Sequence, residues 1–334
     1  MINLSTLGHP VVASLGGKSE ADNTDLERSG VALREVSNLR HGGYWGLERV
    51  GAAAPYGLIG GRGRVVVFPN NRMFPTKMPT VATIHDIIHL SHPELIDPAW
   101  GKRVARRVRY IIDHADAILC DTHAMAQEVA EAYGVSAERF FIVPCAPPKL
   151  PAPTVGHPGA PGAVIAVGVL SDSKNLGRLV KAHRMLDART RKEHPLVLIG
   201  AATPQTPALL KEVGYGDEFV WIDSTVGPGD LAAVYANAGV LAQVSMYEGF
   251  GMPPVEAMAA QLPTVVSDLA VLREVTGGRA DAYVDPYSVE SIAQGLSKVV
   301  GIDRGTYRVE VPRYSWEASA RALEAVIDKV APLS

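Results

Sequence analysis

Two glutamates eight positions apart, Glu248 and Glu256, bracket the segment GFGMPPV. Gly249 and Gly251 let the backbone pass close to a ligand. The prolines at 253 and 254 mark a helix start, with Pro254 expected at the first helical position, and the unpaired amides of such a start attract an anion. On this spacing Glu256 falls in the first turn and Glu248 at the end of the preceding strand, so both carboxylates are expected to reach one pocket. Carboxylates only accept hydrogen bonds, so two of them beside an anion site suit a phosphate flanked by hydroxyls, as in a nucleotide sugar. A glutamate there also stabilises a helix dipole, and Glu248 could be a solvated loop residue; taken singly, each carboxylate leaves both readings open.

Two further loops carry candidate chemistry. In SDSKNL, Ser171, Asp172 or Ser173 is expected to cap a helix, and Lys174 is either a solvated residue or an ammonium that neutralises the charge of a bound diphosphate. In TIHD, His85 follows an apolar run, and His85, His89 and His92 have the spacing that would put three imidazoles on one helical face, a possible metal site. Ser91 and Pro93 argue against a helix through His92, and a structural role for His89 and His92 is favoured. The segment that follows carries Lys102, Arg103, Arg106, Arg107 and Arg109. That pattern is an ordinary solvated face or one that meets an anionic membrane or a lipid-pyrophosphate acceptor.

The elements that must position these groups are legible in the pattern. Short runs rich in Val, Ile and Leu predict strands over 65–68, 80–84, 117–120, 140–143, 163–167, 196–199, 219–222, 240–244 and 264–267. Amphipathic segments predict helices over 98–114, 124–133, 175–189, 207–213, 230–238, 254–260, 288–300 and 316–330. Alternation of this kind builds parallel sheets whose ligands sit beyond the carboxyl ends of the strands. At 334 residues the chain calls for two domains. The proline-rich stretch from Cys145 to Gly162 is the natural boundary, while residues 1–63 are broken throughout by glycine. A hydrophobic fraction of 47% fills two cores, and a formal net charge of −3 excludes the basic body of a nucleic-acid binder. Two cysteines are too few for a disulfide framework, and no signal peptide or membrane span is evident, so a cytoplasmic protein is expected.

The stretch YEGFGMPPVEAMAAQLPTVVSD resembles the Glu-x7-Glu region of glycosyltransferase family 4. The likeness continues in GVLSDSKNLGRLVKAH, TIHDIIHLSHPEL, LREV, YVDPYSVESIAQGL and YSWEASARALEAVI. It implies the GT-B fold, two Rossmann-like doubly wound α/β domains facing a central cleft: residues 1–150 on the acceptor side, 151–305 binding the nucleotide sugar, and 306–334 returning as a helix toward the first domain. It further implies a retaining transferase in which Glu248, His85 and Lys174 act on the donor sugar and its diphosphate. Gly249, Phe250, Gly251, Met252, Glu256, Lys174 and Asn175 would hold the donor, Glu256 through the ribose hydroxyls. Where the family commonly has an arginine five positions before the lysine, this chain has Val169, so another arginine is expected to serve or leaving-group stabilisation to be weaker. Residues 1–30 depart from the family's strand, glycine-rich turn and helix; Leu15-Gly16-Gly17 and His41-Gly42-Gly43 are weak substitutes. No Asp-x-Asp occurs, so activity without a metal or other cofactor is expected. GDP-mannose is the first donor expected and a UDP-sugar the next, with a glycan, lipid-linked or small-molecule hydroxyl as acceptor. Peripheral contact with an anionic membrane would run through Lys102, Arg103, Arg106 and Arg107. The competing readings are a non-catalytic nucleotide-sugar-binding partner subunit, a sugar-nucleotide epimerase and a phosphorylase.

Overall fold

The computed structural model describes residues 64–332, apart from 74, 148–149, 155–159, 204–205, 213–218, 223–226 and 313, together with two short strands before them. Those strands, β1 (Val12–Leu15) and β2 (Ala32–Glu35), pair in parallel. The glycine pairs at 16–17 and 42–43 lie outside the described residues. The chain divides into two compact units, residues 1–146 with 314–334, and residues 147–313.

In the first unit β3 (Val66–Phe68), β4 (Thr80–Thr83), β5 (Ala117–Cys120) and β6 (Phe140–Ile142) form a parallel sheet in that order. The short helix α1 (Ile88–Ser91) follows β4, and α2 (Pro98–His114) leads into β5. Asp97 caps α2 by accepting from the Trp100 amide at 2.7 Å, and Val104, Val108, Ile111 and Ile112 form its buried stripe. Helix α3 (His123–Tyr133) is capped by Thr122 and stopped by Gly134 in the left-handed conformation.

The second unit holds six parallel strands: β7 (Val164–Val167), β8 (Leu196–Ile199), β9 (Phe219–Ile222), β10 (Val240–Gln243), β11 (Thr264–Ser267) and β12 (Ala282–Val284). Their order is β12-β11-β10-β7-β8-β9. The chain therefore winds outward from β7 on one side and from β10 on the other, and the order reverses between those two. Helices α4 (Leu176–Arg184), α5 (Ala188–Glu193), α6 (Thr206–Glu212), α7 (Pro228–Asn237), α8 (Met252–Ala259) and α9 (Ala270–Val275) connect them, and α10 (Val289–Val299) follows β12. Alternate strand residues serve two cores. Val164, Ala166, Leu196, Leu198, Val240 and Ala242 pack with α4 and α10, whereas Ile165, Val197, Ile199 and Leu241 pack with α7 and α8.

The last helix, α11 (Trp316–Val330), packs Val326 against Val81, Ala117 and Leu119 of the first sheet. Ser319 Oγ donates to the Pro144 carbonyl, and Arg64 meets Asp328 at 2.6 Å. Among the described residues no helix is long and apolar enough to cross a membrane.

Four differences from the pattern have local causes. The helix expected over 175–189 breaks at Met185–Asp187, because Asp187 accepts from the amides of Arg189 and Thr190 and starts α5. Helix α7 starts at Pro228, before Asp230, with Gly227 as its cap residue. The three-residue β12 and the six-residue α9 are too short to show a period. Gly200 has no visible signal either: a Cβ there would lie 1.7 Å from the Gly168 carbonyl, so the ends of β7 and β8 touch through bare backbone.

Arg304 ties two of the helix ends. Its guanidinium donates to the carbonyls of Tyr235, Ala236 and Ala238 at the end of α7 and of Ala260 and Gln261 after α8, satisfying acceptors that helix ends leave open. Arg304→Ala should cost the second unit about 2–4 kcal/mol. Thermal unfolding checks this; a midpoint within error of the parent would contradict it.

Candidate functional site

The loops that leave β7 and β10, on either side of the order reversal, hold the sequence's main candidates. After β7, Gly168 (φ +141°) leads through Val169 to a single 3-10 turn, Asp172–Lys174, and α4 begins after Asn175 in the left-handed conformation (φ 58°). None of Ser171, Asp172 or Ser173 caps α4, a correction to the expectation; the Ser171 and Ser173 hydroxyls bond each other at 2.9 Å instead. Asn175 is 4% exposed. Its Nδ2 donates to the Val244 carbonyl at 2.9 Å and the Pro286 carbonyl at 2.6 Å, and its Oδ1 accepts from Arg178. The side chain expected to touch the donor thus joins the loops that follow β7, β10 and β12.

Lys174 extends to Glu248, Nζ to Oε1 2.7 Å, with side-chain exposures of 24% and 9%. Gln243, at the end of β10, donates to the same oxygen. The Met246 amide donates to the Ser173 carbonyl at 2.9 Å, fixing one loop to the other. Gln243 was not singled out from the sequence; the one signal was a polar residue ending an otherwise apolar strand. Arg178 was missed too. It lies in the first turn of α4, four residues after Lys174, with its guanidinium 5.7 Å from the exposed Tyr287 ring and 3.5 Å from Met246 Sδ. Val169 is exposed.

After Glu248 the turn runs through Gly249, buried Phe250 and Gly251 into α8. The helix begins at Met252, so Pro254 is its third residue and Glu256 its fifth, beyond the first turn where the spacing had put it. Gly251 is required twice: its φ is +91°, and a Cβ there would lie 2.5 Å from Leu272 Cδ2. Glu256 is 8% exposed and accepts from the fully buried Tyr235 hydroxyl at 2.7 Å. Burial raises the Glu256 carboxyl above the ordinary range, and the Tyr235 bond opposes that rise. Glu248 and Glu256 are therefore held by separate partners on separate elements.

His85, in the first unit, comes just after β4. Its Nδ1 lies 2.6 Å from Asp121 Oδ2 and its Nε2 2.9 Å from the Pro69 carbonyl oxygen. Cys145 Sγ donates to the other Asp121 oxygen at 3.1 Å. The three histidines do not converge. His89 is buried against the Tyr133 hydroxyl, and His92 pairs with Glu94. Among the described residues the group that could hold a metal is His85, Asp121 and Cys145. The two contacts to Asp121 are hydrogen-bond distances, shorter than the ~3.3–3.8 Å between ligand atoms that share a tetrahedral zinc at the usual bond lengths. Both cysteines are free thiols, and burial raises each above its ordinary range.

Comparison with known proteins matches both halves of the chain. Residues 12–146 fit the family model described as Glycosyltransferase Family 4, and residues 153–305 that described as Glycosyl transferases group 1. The chain is 28% identical over 255 residues to O-antigen chain mannosyltransferase B of Escherichia coli, covering 71% of this chain and 67% of that protein. It is 28% identical over 302 residues to the MMP alpha-(1->4)-mannosyltransferase of Mycolicibacterium hassiacum, covering 81% and 72%. Its match to the longer mannosyltransferase WbdA of Escherichia coli spans 32% of that protein. Among solved structures, HepE of Anabaena superposes with a TM-score of 0.65 at 15% identity, covering 99% of this chain and 90% of that one.

Alanine at Gly251 and at Gly278 separates the two constraints on the turn. Gly278 has a φ of +72° but open space around it, so Gly278→Ala should cost only left-handed strain, about 1–2 kcal/mol. Gly251→Ala adds the clash with Leu272, about 1–3 kcal/mol more. Equal losses in chemical denaturation would show that Leu272 yields freely.

Proposed function

This chain belongs to glycosyltransferase family 4 and has the GT-B fold, and on that footing we propose that it transfers a hexose, mannose first, from a nucleotide sugar to a hydroxyl of a glycan, lipid-linked or small-molecule acceptor with retention at the anomeric carbon. The observation that carries the reading is the Lys174–Glu248 pair at the reversal point of the second sheet. An incoming diphosphate competes with Glu248 for the Lys174 ammonium. The carboxylate so released accepts from sugar hydroxyls, while Glu256, steadied by Tyr235, accepts from the ribose. Amides of the Gly249–Gly251 turn and of Met252 face the phosphates, and Arg178 supplies the guanidinium that position 169 lacks.

Departure of the nucleoside diphosphate gives the anomeric carbon oxocarbenium character, and the acceptor hydroxyl enters on the same face. No side chain is assigned as a covalent nucleophile; positioning and fixed charge carry the rate, without a metal. Relatives named as mannosyltransferases support mannose, with GDP as the first nucleotide to test and UDP as the second.

Thermal stability measured against UDP-, GDP-, dTDP- and ADP-sugars in chelator tests the donor. One donor at about a hundred times its Kd should add roughly 2.7 kcal/mol, and Glu256→Ala should abolish the shift. Glu248→Gln and Lys174→Ala, folded as the parent, should each lower kcat by about a hundredfold or more; full activity in both would end the reading.

A peripheral membrane role rests on α2, whose Lys102, Arg103 and Arg106 are exposed along with Trp100 at its start, Arg107 being partly buried. Each cation near an anionic surface contributes about 1 kcal/mol. Sedimentation with anionic vesicles should therefore exceed that with neutral ones and fall in Arg103→Ala/Arg106→Ala. Equal sedimentation with both would leave this face as ordinary solvated surface.

A further inference from the structure

Both ring nitrogens of His85 face acceptors. The Pro69 carbonyl oxygen, 2.9 Å from Nε2, has no proton to give. Asp121 lies 2.6 Å from Nδ1 and is 4% exposed, and its other oxygen already accepts a hydrogen bond from the Cys145 thiol. A neutral imidazole has a single N–H and would set one lone pair against another. A proton moved onto Asp121 would restore both contacts, but an imidazole is a stronger base than a carboxylate. The ring side chain is 43% exposed, so water favours charge on His85, and the Cys145 thiol serves the other oxygen of the buried carboxylate.

We propose that Asp121 is a positioning residue that holds His85 as a doubly protonated imidazolium, and that His85 serves transfer as a fixed positive charge, not as a proton acceptor. With both N–H groups engaged by the protein, the ring offers a ligand its charge and its C–H edge. That suits an anionic group or a developing negative charge on a ligand. The role in transfer rests on the transferase reading above; the charge state does not.

Among the described residues the charged groups acting on His85 are both negative, Asp121 after β5 and Asp86 on its own loop, with the Cys145 thiol after β6 on the far oxygen of Asp121. The Asp121 bond outweighs partial burial, and the imidazole is pushed up to about 9. A group whose folded pKa is raised stabilises fully below its unfolded value, here about 6.5, so the pair's contribution is lost as pH rises toward 9.

Ring nitrogen NMR between pH 5.5 and 10 on the full chain, with His85→Gln to assign the signal, reads this directly. Wild-type His85 should keep both ring protons to a midpoint near 9, and Asp121→Asn should lower that midpoint by more than one unit. The alkaline limb of kcat should move down with it, giving at least a tenfold lower kcat above the new midpoint, with donor KM changing less. A wild-type midpoint near the ordinary 6.5 would overturn the proposal without any variant, and so would an alkaline limb that stays in place in Asp121→Asn. Wild-type protein inactive with every donor yet titrating near 9 would remove the transferase reading and uphold the charge assignment.

Discussion

Two neighbouring parallel strands whose following helices go to opposite faces of the sheet cannot keep their outgoing loops together, and the second unit is organised around that parting. Helix α4 after β7 packs in one core, and α8 after β10 in the other. In open parallel sheets of this kind, ligands bind in the opening left between them. Lys174 and Glu248 bridge it with one ion pair, Met246 and Ser173 with one backbone bond, and Asn175 with a buried amide that reaches the β12 loop as well. Because Asn175 makes these bonds in the left-handed conformation, it starts α4 and fixes the crevice through the same residue.

A second constraint is that each buried or half-buried charge in these loops already has a partner. Removing a carboxylate from water is costly unless donors replace the water. Glu248 has the ammonium of Lys174 and the amide of Gln243; Glu256 has the hydroxyl of Tyr235; Asp121 has His85 and the Cys145 thiol. The Gln243 amide, the Tyr235 hydroxyl and the two donors on Asp121 orient these groups before a ligand arrives, so less ordering is left for binding to accomplish. Arg304 extends the same logic to the backbone, since it satisfies carbonyls at the ends of both α7, which carries Tyr235, and α8, which carries Glu256.

The sequence by itself determined the alternating α/β pattern, the order of strands and helices from 64 onward, and the loops in which chemistry could lie. These are properties of local periodicity and of residues such as Gly251, Pro253 and Lys174 whose chemistry acts over a few positions. Elements too short to repeat a period, β12 and α9, stayed invisible, as did the break at Asp187, which depends on a side chain bonding two amides ahead of it. Tertiary structure decided the partners. Tyr235 and Glu256 are 21 positions apart, His85 and Asp121 36, and Lys174 and Glu248 74. Only the order in which parallel strands assemble brings such pairs within a hydrogen bond, and no local pattern encodes it. For the same reason Asn175 could be noticed as a residue but not placed as the buried tie between three loops: its role is set by carbonyls that the chain delivers from 69 and 111 positions away.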